Sequence, residues 1–114
     1  AIREVREETG LEICVLDFLL DININNRYKP FCRNTPGATW HHWCVYHARV
    51  WEGNLMLNSN EVKQSQWVNR NTLLLLSKKT QQYLMGEVSD HQWRQDPGLE
   101  PIWNDLLYFL KLLP

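Results

Sequence analysis

Three glutamates stand close together near the start of the chain, at Glu4, Glu7 and Glu8. On a helix, side chains three and four positions apart lie on one face, so this spacing predicts neighbouring carboxylates. Mg²⁺ and Mn²⁺ prefer carboxylate oxygens as ligands, and such a metal could bind a diphosphate and activate a water molecule. A solvated acidic helix surface fits the same spacing, with Arg3 and Glu7 as an ordinary i,i+4 ion pair.

The residues around the glutamates form a longer pattern. Residues 3–11 read Arg-Glu-Val-Arg-Glu-Glu-Thr-Gly-Leu. This string resembles the end of the Nudix box, G-x5-E-x7-R-E-U-x-E-E-x-G-U, where U is a bulky aliphatic residue. All seven specified positions that fall within the chain agree with the box. The first glycine and first glutamate of the box would lie before residue 1, so we expect the chain to begin inside the box.

The resemblance implies an α/β fold, namely a Nudix-like α/β/α sandwich with a mixed sheet whose N-terminal strands are missing from this chain. It also implies metal-dependent hydrolysis of a nucleoside diphosphate linked to another group, with Mg²⁺ or Mn²⁺ as the cofactor and water attacking phosphorus. By position in the box, Glu7 and Glu8 would be metal ligands. Glu4 would be a ligand or would orient and deprotonate the water. Arg3 would hold the glutamates in position, and Gly10 would end the helix.

A later carboxylate is the candidate for a further metal ligand. Many family members use an acidic residue from a later loop, and the resemblance selects Glu61, for which a solvated loop charge is the alternative. Two other interpretations of the chain stay open: a non-catalytic Nudix-fold module that binds a nucleotide or a protein, and an unrelated α+β interaction domain that resembles the box by chance. Because the first glutamate of the box is absent, the 114 residues alone are expected to be catalytically incompetent.

Several histidines and cysteines lie between residues 32 and 47, and such residue types together suggest a zinc site. No C-x2-C or H-x3-H spacing occurs, and neighbouring His41 and His42 would point to opposite faces of a strand, so the spacing argues against zinc. For several side chains of residues 27–51, two interpretations stay open: contact with a nucleotide, or a role only in packing or solvation. The candidates are His41 or His42 near the substrate cleft, three tryptophans that would stack on a base (Trp40, Trp43 and Trp51), and three basic residues that would contact phosphate (Arg27, Lys29 and Arg33).

The elements that must position these residues follow from periodicity and turn signals. Residues 1–9 favour a helix, residues 11–20 a strand, residues 21–36 a loop or irregular hairpin, and residues 38–52 the best strand of the chain. Alternation along that strand predicts a core face, made of Cys44, Tyr46, Ala48 and Val50.

Helices are predicted in the last third of the chain. One is capped by Asn71 or Thr72 and runs to about Met85, a short one follows a capping box at Ser89 and Gln92, and the last has Pro101 in its first turn. We therefore predict one partial Nudix domain. The end of the box helix occupies residues 1–10, strands and loops occupy residues 11–68, and C-terminal helices occupy residues 69–114.

Composition narrows the classes of partner and compartment. The 12 Lys and Arg against 13 Asp and Glu give a net charge of −1, which disfavours nucleic acid and leaves a small nucleotide diphosphate as the expected partner. No apolar run approaches the roughly 20 residues of a membrane helix. The 3 cysteines are odd in number and widely spaced, which indicates a reducing compartment and a cytoplasmic location. A homodimer stays open.

Overall fold

The structure, a computed structural model, describes residues 2–25, 39–56, 58, 60 and 65–114. In chain order, the elements of the described residues are α1 (Ile2–Thr9), β1 (Glu12–Asn25), β2 (Trp40–Glu52), α2 (Arg70–Leu84), α3 (Asp90–Gln95) and α4 (Pro101–Phe109). They fall into two compact units, residues 1–67 and residues 68–114. The chain therefore has mixed α and β content, as the sequence predicts.

In the described part of the first unit, the sheet consists of β1 and β2, which pair antiparallel. Two residues of β1, Leu16 and Leu19, have no partner in the register, so the ladder is irregular at both points. Such extra residues bend a strand and change which side chains share a face. A small antiparallel sheet is thus what the described residues form, and the sandwich with a mixed sheet stays a prediction.

The first strand is longer than predicted. β1 spans Glu12–Asn25, so residues 21–25 belong to this strand, and the predicted loop or irregular hairpin does not begin at Asp21. These five residues alternate polar and apolar, which is the strand period, and Ile22 and Ile24 are half-buried while their neighbours are exposed. The remainder of the predicted loop, residues 26–36, lies outside the described residues.

The core face predicted for β2 is wrong at Cys44 and Tyr46, which are both exposed. Val45 is the buried residue of this strand, with 7% exposure, and half-buried His41 and Trp43 share its face. Beyond Tyr46 the inward positions are Ala48 and Val50, which are half-buried as expected. Every residue of β2 from Trp40 to Val50 has a partner on β1, and the change of buried side midway along β2 lies opposite the two unpaired residues of β1, Leu16 and Leu19.

Among the described helices of the second unit, α2 and α3 begin at side-chain caps, and α4 begins without a side-chain cap hydrogen bond. Asn69 caps α2 by accepting from the Thr72 N–H at 2.9 Å, so the predicted cap at Asn71 or Thr72 is wrong by two or three residues. The capping box before α3 is confirmed, since Ser89 and Gln92 exchange side-chain and backbone hydrogen bonds of 3.0 and 3.2 Å. Pro101 lies in the first turn of α4, as predicted, where a missing N–H costs nothing.

The second unit has a small core that is partly polar. Leu106 and Leu113 are buried, with 1% and 3% exposure, and Ser77, Thr80 and Asn104 are buried with them. The Ser77 hydroxyl donates to Asn104 Oδ1 at 2.7 Å, and the Thr80 hydroxyl donates to the Leu99 carbonyl at 2.7 Å. These hydrogen bonds satisfy polar groups that would otherwise destabilise the core.

Tyr83 of α2 contacts α3 through its hydroxyl and its ring. The hydroxyl donates to Asp90 Oδ1 at 2.7 Å, and the ring stacks on Trp93 with centroids 4.4 Å apart. The hydrogen bond to Asp90, followed by burial and the Asp90 charge, raises the pKa of Tyr83 above its ordinary value of 10.0. A raised pKa in the folded state means that this contact stabilises the fold below pH 10.0 and that the stabilisation is lost as pH rises through the raised pKa.

In the variant Asp90→Asn we expect the pKa of Tyr83 to fall toward 10.0, because the carboxylate that favours the neutral phenol is gone. Phenolate absorbance measured against Tyr83→Phe isolates this residue from the other tyrosines of the chain. An unchanged Tyr83 midpoint in Asp90→Asn would contradict the assigned cause.

Candidate functional site

The three glutamates of the sequence pattern lie on α1, in the first unit. Glu4 and Glu7 are exposed, and Glu8 is half-buried. Arg3 Nε lies 3.9 Å from Glu7 Oε1, and both side chains are more than half exposed to solvent. An ion pair of this length and exposure contributes little to stability, so Glu7 can exchange Arg3 for another cation at small cost.

The C-terminal end of α1 is fixed by backbone hydrogen bonds from the segment after β2. The N–H of Met56 donates to the Thr9 carbonyl at 2.8 Å, and the N–H of Asn58 donates to the Glu8 carbonyl at 3.0 Å. Carbonyls at the end of a helix have no partner within the helix, so this segment satisfies them. It thereby holds the turn of α1 that carries Glu7 and Glu8.

Gly10 ends α1 in the left-handed conformation, with φ +75° and its N–H donating to the Arg6 carbonyl at 2.9 Å. The space beside its Cα is also filled. A Cβ at this position would lie 3.0 Å from the Asn54 carbonyl oxygen and 3.2 Å from Met56 Cβ. Only glycine meets both requirements, the positive φ and the close approach of residues 54–56.

The substitution Gly10→Ala is expected to lower the free energy of unfolding by more than Gly86→Ala does. Gly86 has the same kind of backbone, with φ +79°, but a Cβ there meets nothing within 4 Å. Gly86→Ala therefore reports the left-handed cost alone, about 1–2 kcal/mol, and Gly10→Ala adds the steric displacement of residues 54–56. Chemical denaturation of both variants measures the difference, and equal losses would show that the contact at Gly10 is soft.

Close grouping of metal-ligating atoms occurs elsewhere in the first unit. In the part of the chain that the structure describes, the set of three such residues whose ligand atoms all lie within 4.8 Å of one another is Asp21, His42 and Cys44. The α1 glutamates form no set of that kind. Their assignment as catalytic and metal-binding residues stays a prediction, and Glu61 lies outside the described residues.

The Asp21, His42 and Cys44 side chains meet because β1 and β2 pair in a fixed register. Asp21 lies opposite Cys44, and Asn23 lies opposite His42, so all four belong to one exposed face of the strand pair. His42 Nε2 lies 2.8 Å from Asp21 Oδ1, and His42 Nδ1 lies 2.6 Å from Asn23 Oδ1. We call this group the cross-strand cluster. It combines carboxylate, imidazole and thiol, the three ligand types of zinc.

The sequence alone did not predict the cross-strand cluster, because residues 21–36 are predicted as a loop or irregular hairpin with no pairing to the later strand. The signal that could have found it is the alternation of residues 21–25, which predicts a strand that continues past Leu20. A continued strand pairs Asp21 and Asn23 with residues 44 and 42 of β2.

The other nucleotide-contact candidates are distributed over both faces of β2. His41 and Trp43 are half-buried with their ring centroids 6.3 Å apart, whereas Trp40 and Trp51 are exposed. Arg27, Lys29 and Arg33 lie outside the described residues. His47 is paired with Asp17, with Nδ1 3.3 Å from Oδ2, and this second His–Asp pair lies outside the cross-strand cluster.

Comparison with known proteins gives one match. The family model described as NUDIX domain matches residues 1–90, which is most of the chain. Comparison with curated proteins and with solved structures gives no further match. Among the helices of the described residues, none combines the length and apolar character needed to cross a membrane.

Proposed function

Because the chain belongs to the Nudix family, we propose that the full-length protein catalyses metal-dependent hydrolysis of a nucleoside diphosphate linked to another group. The family in general consists of pyrophosphohydrolases that use divalent metals and nucleotide-derived substrates. The finer elements of the proposal are the metal, Mg²⁺ or Mn²⁺, and the residues that bind it. Glu7 and Glu8 are the proposed ligands, and Glu4 is a ligand or the base.

The observation that carries the proposal is the way α1 ends. The helix that bears the three glutamates closes at Gly10, and backbone donors from residues 56 and 58 bind its last carbonyls. Catalysis by a metal requires ligands held to within a fraction of an ångström, and a helix fixed at the end nearest Glu7 and Glu8 meets that requirement better than a loop. This anchoring supports a role for the glutamates beyond a solvated acidic surface.

The residues of α1 fit a hard divalent cation. Their donors are carboxylate oxygens, and the exposed Arg3–Glu7 contact at 3.9 Å is weak enough to be replaced. Bound Mg²⁺ or Mn²⁺ would neutralise charge on the diphosphate and activate the attacking water.

Four side chains of α1 have a task in the proposed reaction. Glu7 and Glu8 would hold the ion, and Arg3 would keep the glutamates in position before the ion replaces its contact with Glu7. The water oxygen would bond to phosphorus as the bond from phosphorus to the leaving oxygen breaks, and Glu4 would either complete the ligand set or accept the proton that the water loses.

The remaining parts of the proposal concern architecture, partner and compartment. We propose a Nudix-like sandwich in which residues 1–10 end the box helix, residues 11–68 supply strands and loops, and residues 69–114 supply helices. Glu61 is proposed as a further ligand from a later loop. The proposed partner is a small nucleotide diphosphate. The proposed compartment is the cytoplasm, for which the unpaired thiols of Cys14 and Cys44 are the supporting observation.

A hydrolysis screen of the full-length protein tests the proposal. Nucleoside diphosphates carrying different second groups are incubated with Mg²⁺ or Mn²⁺, and the products are separated by chromatography. We expect release of nucleoside monophosphate or of phosphate-bearing fragments from at least one substrate, abolished by a chelator. Nucleotide binding without turnover of any substrate would contradict the enzyme and indicate the non-catalytic module instead.

A further inference from the structure

We propose that the cross-strand cluster, Asp21, His42 and Cys44, is a second metal site, specific for a borderline-soft divalent ion, with Zn²⁺ as the occupant. It is distinct from the carboxylate set of α1 in its residues and in its ligand chemistry. The starting observation is that the three ligand atoms lie within 4.8 Å of one another on one face of β1 and β2.

The spacing of the ligand atoms is close to what tetrahedral zinc requires. Bond lengths of 2.0–2.3 Å place neighbouring nitrogen, oxygen and sulfur ligands roughly 3.3–3.6 Å apart. His42 Nε2 and Asp21 Oδ1 are 2.8 Å apart, so they must separate by about half an ångström, and Cys44 Sγ has to move by little more than 1 Å. All three side chains are exposed, so rotamer changes of this size meet no packed neighbour.

Asn23 orients the imidazole for this role. In the tautomer whose Nδ1–H donates to Asn23 Oδ1, 2.6 Å away, Nε2 carries the lone pair and lies 2.8 Å from Asp21 Oδ1. A hydrogen bond to the second ring nitrogen is the usual way in which a metal-binding histidine is fixed in one tautomer. In that tautomer Nε2 and the Asp21 oxygen are two acceptors 2.8 Å apart, so either a proton on Nε2 or a bound cation must lie between them.

The ligand set selects the ion. A thiolate and an imidazole prefer Zn²⁺ over Mg²⁺, which takes oxygen ligands and requires near-octahedral geometry. Three protein ligands leave the fourth position of a tetrahedral ion for water, and the exposure of the face gives water access. Binding displaces the thiol proton of Cys44 to solvent, so the Cys44 thiolate and the Asp21 carboxylate together balance the two positive charges of the ion.

The second His–Asp pair of the sheet serves as an internal comparison. His47 Nδ1 lies 3.3 Å from Asp17 Oδ2, but this pair belongs to no close set of three metal-ligating residues in the described chain. The sheet therefore contains two His–Asp pairs, and Cys44 adds a third metal-ligating side chain to the pair that contains His42. Substitution of Cys44 or His42 should weaken zinc binding, and substitution of His47 should leave it unchanged.

The test is a titration of the full chain with Co²⁺, a spectroscopic substitute for zinc, followed by competition with Zn²⁺. We expect one thiolate-bound ion per chain, detected by a near-ultraviolet thiolate-to-cobalt charge-transfer band that Zn²⁺ abolishes and a large excess of Mg²⁺ leaves intact. In Cys44→Ser the band should be lost, and in His42→Gln and Asp21→Asn the dissociation constant should rise at least about 10-fold. The exposure of these side chains predicts that all three variants fold, which circular dichroism checks.

The matched controls are Cys14→Ser and His47→Gln. Cys14 is a thiol of the same sheet, opposite Arg49 and outside the cross-strand cluster, so the band should persist in Cys14→Ser as in His47→Gln. Retention of the band in Cys44→Ser, its loss in Cys14→Ser, or its displacement by Mg²⁺ would each overturn the site. Glu8→Gln should leave the cobalt spectrum unchanged, which separates failure of this site from failure of the proposed catalytic site.

Discussion

Glu8→Gln and Glu7→Gln in the full-length protein are each expected to lower nucleoside diphosphate hydrolysis by at least about 100-fold. A bound divalent metal supplies several kcal/mol of transition-state stabilisation, and 1.4 kcal/mol corresponds to a factor of 10 in rate. Glutamine has nearly the same shape as glutamate but no charge. We therefore expect the substitution to weaken metal binding and to lower the hydrolysis rate. Initial rates over a range of Mg²⁺ concentrations measure both quantities.

The same variants should keep their free energy of unfolding within about 0.5 kcal/mol of the wild type. Glu7 is exposed and its contact with Arg3 is 3.9 Å long, while the loss of one of three neighbouring carboxylates relieves repulsion. Glu52→Gln is the matched control, because Glu52 is an exposed glutamate of the same unit that lies on β2. Turnover close to the wild type in Glu7→Gln and Glu8→Gln would remove both residues from the metal site.

Local sequence signals correctly predicted two helix boundaries. Gly10 was expected to end the first helix, and it does so at φ +75°, because a left-handed residue without Cβ is a local requirement. The Ser89–Gln92 box is likewise a pattern of four consecutive residues, and both of its hydrogen bonds are present. The sequence did not predict the hydrogen bonds from the backbone N–H groups of residues 56 and 58 to the end of α1. Almost every residue type has a backbone N–H, so the residue types at these positions do not reveal such contacts.

Features that depend on strand pairing were predicted less well. Alternation predicted a core face containing Cys44, but in the observed register Cys44 is exposed and its neighbour Val45 is buried. That same register brings Cys44 opposite Asp21, 23 residues earlier in the chain, and makes the cross-strand cluster. Spacing rules for zinc sites consider neighbours along the chain, so they reject a ligand set that only the register assembles.

Leu106→Ala is expected to destabilise the second unit by about 2–5 kcal/mol, the largest stability effect that we predict for a single substitution. Leu106 is 1% exposed, and it shares the core with Leu113 and with the hydrogen-bonded side chains of Ser77, Thr80 and Asn104. Those polar partners are fixed by their hydrogen bonds and cannot move to fill the space that the leucine leaves. The cavity should therefore stay open, which sets the cost toward the upper part of that range.

Urea denaturation followed by helical circular dichroism measures this loss, because the longest helix of the described chain, α2, belongs to the second unit. The matched control is Leu75→Ala on α2, where the leucine is 63% exposed and the same atoms are removed from solvent rather than from a core. Surface substitutions of this kind stay within about 0.5 kcal/mol. If both variants lost the same free energy, Leu106 would not be the centre of this core, and the polar Ser77–Asn104 pair would have to carry its stability instead.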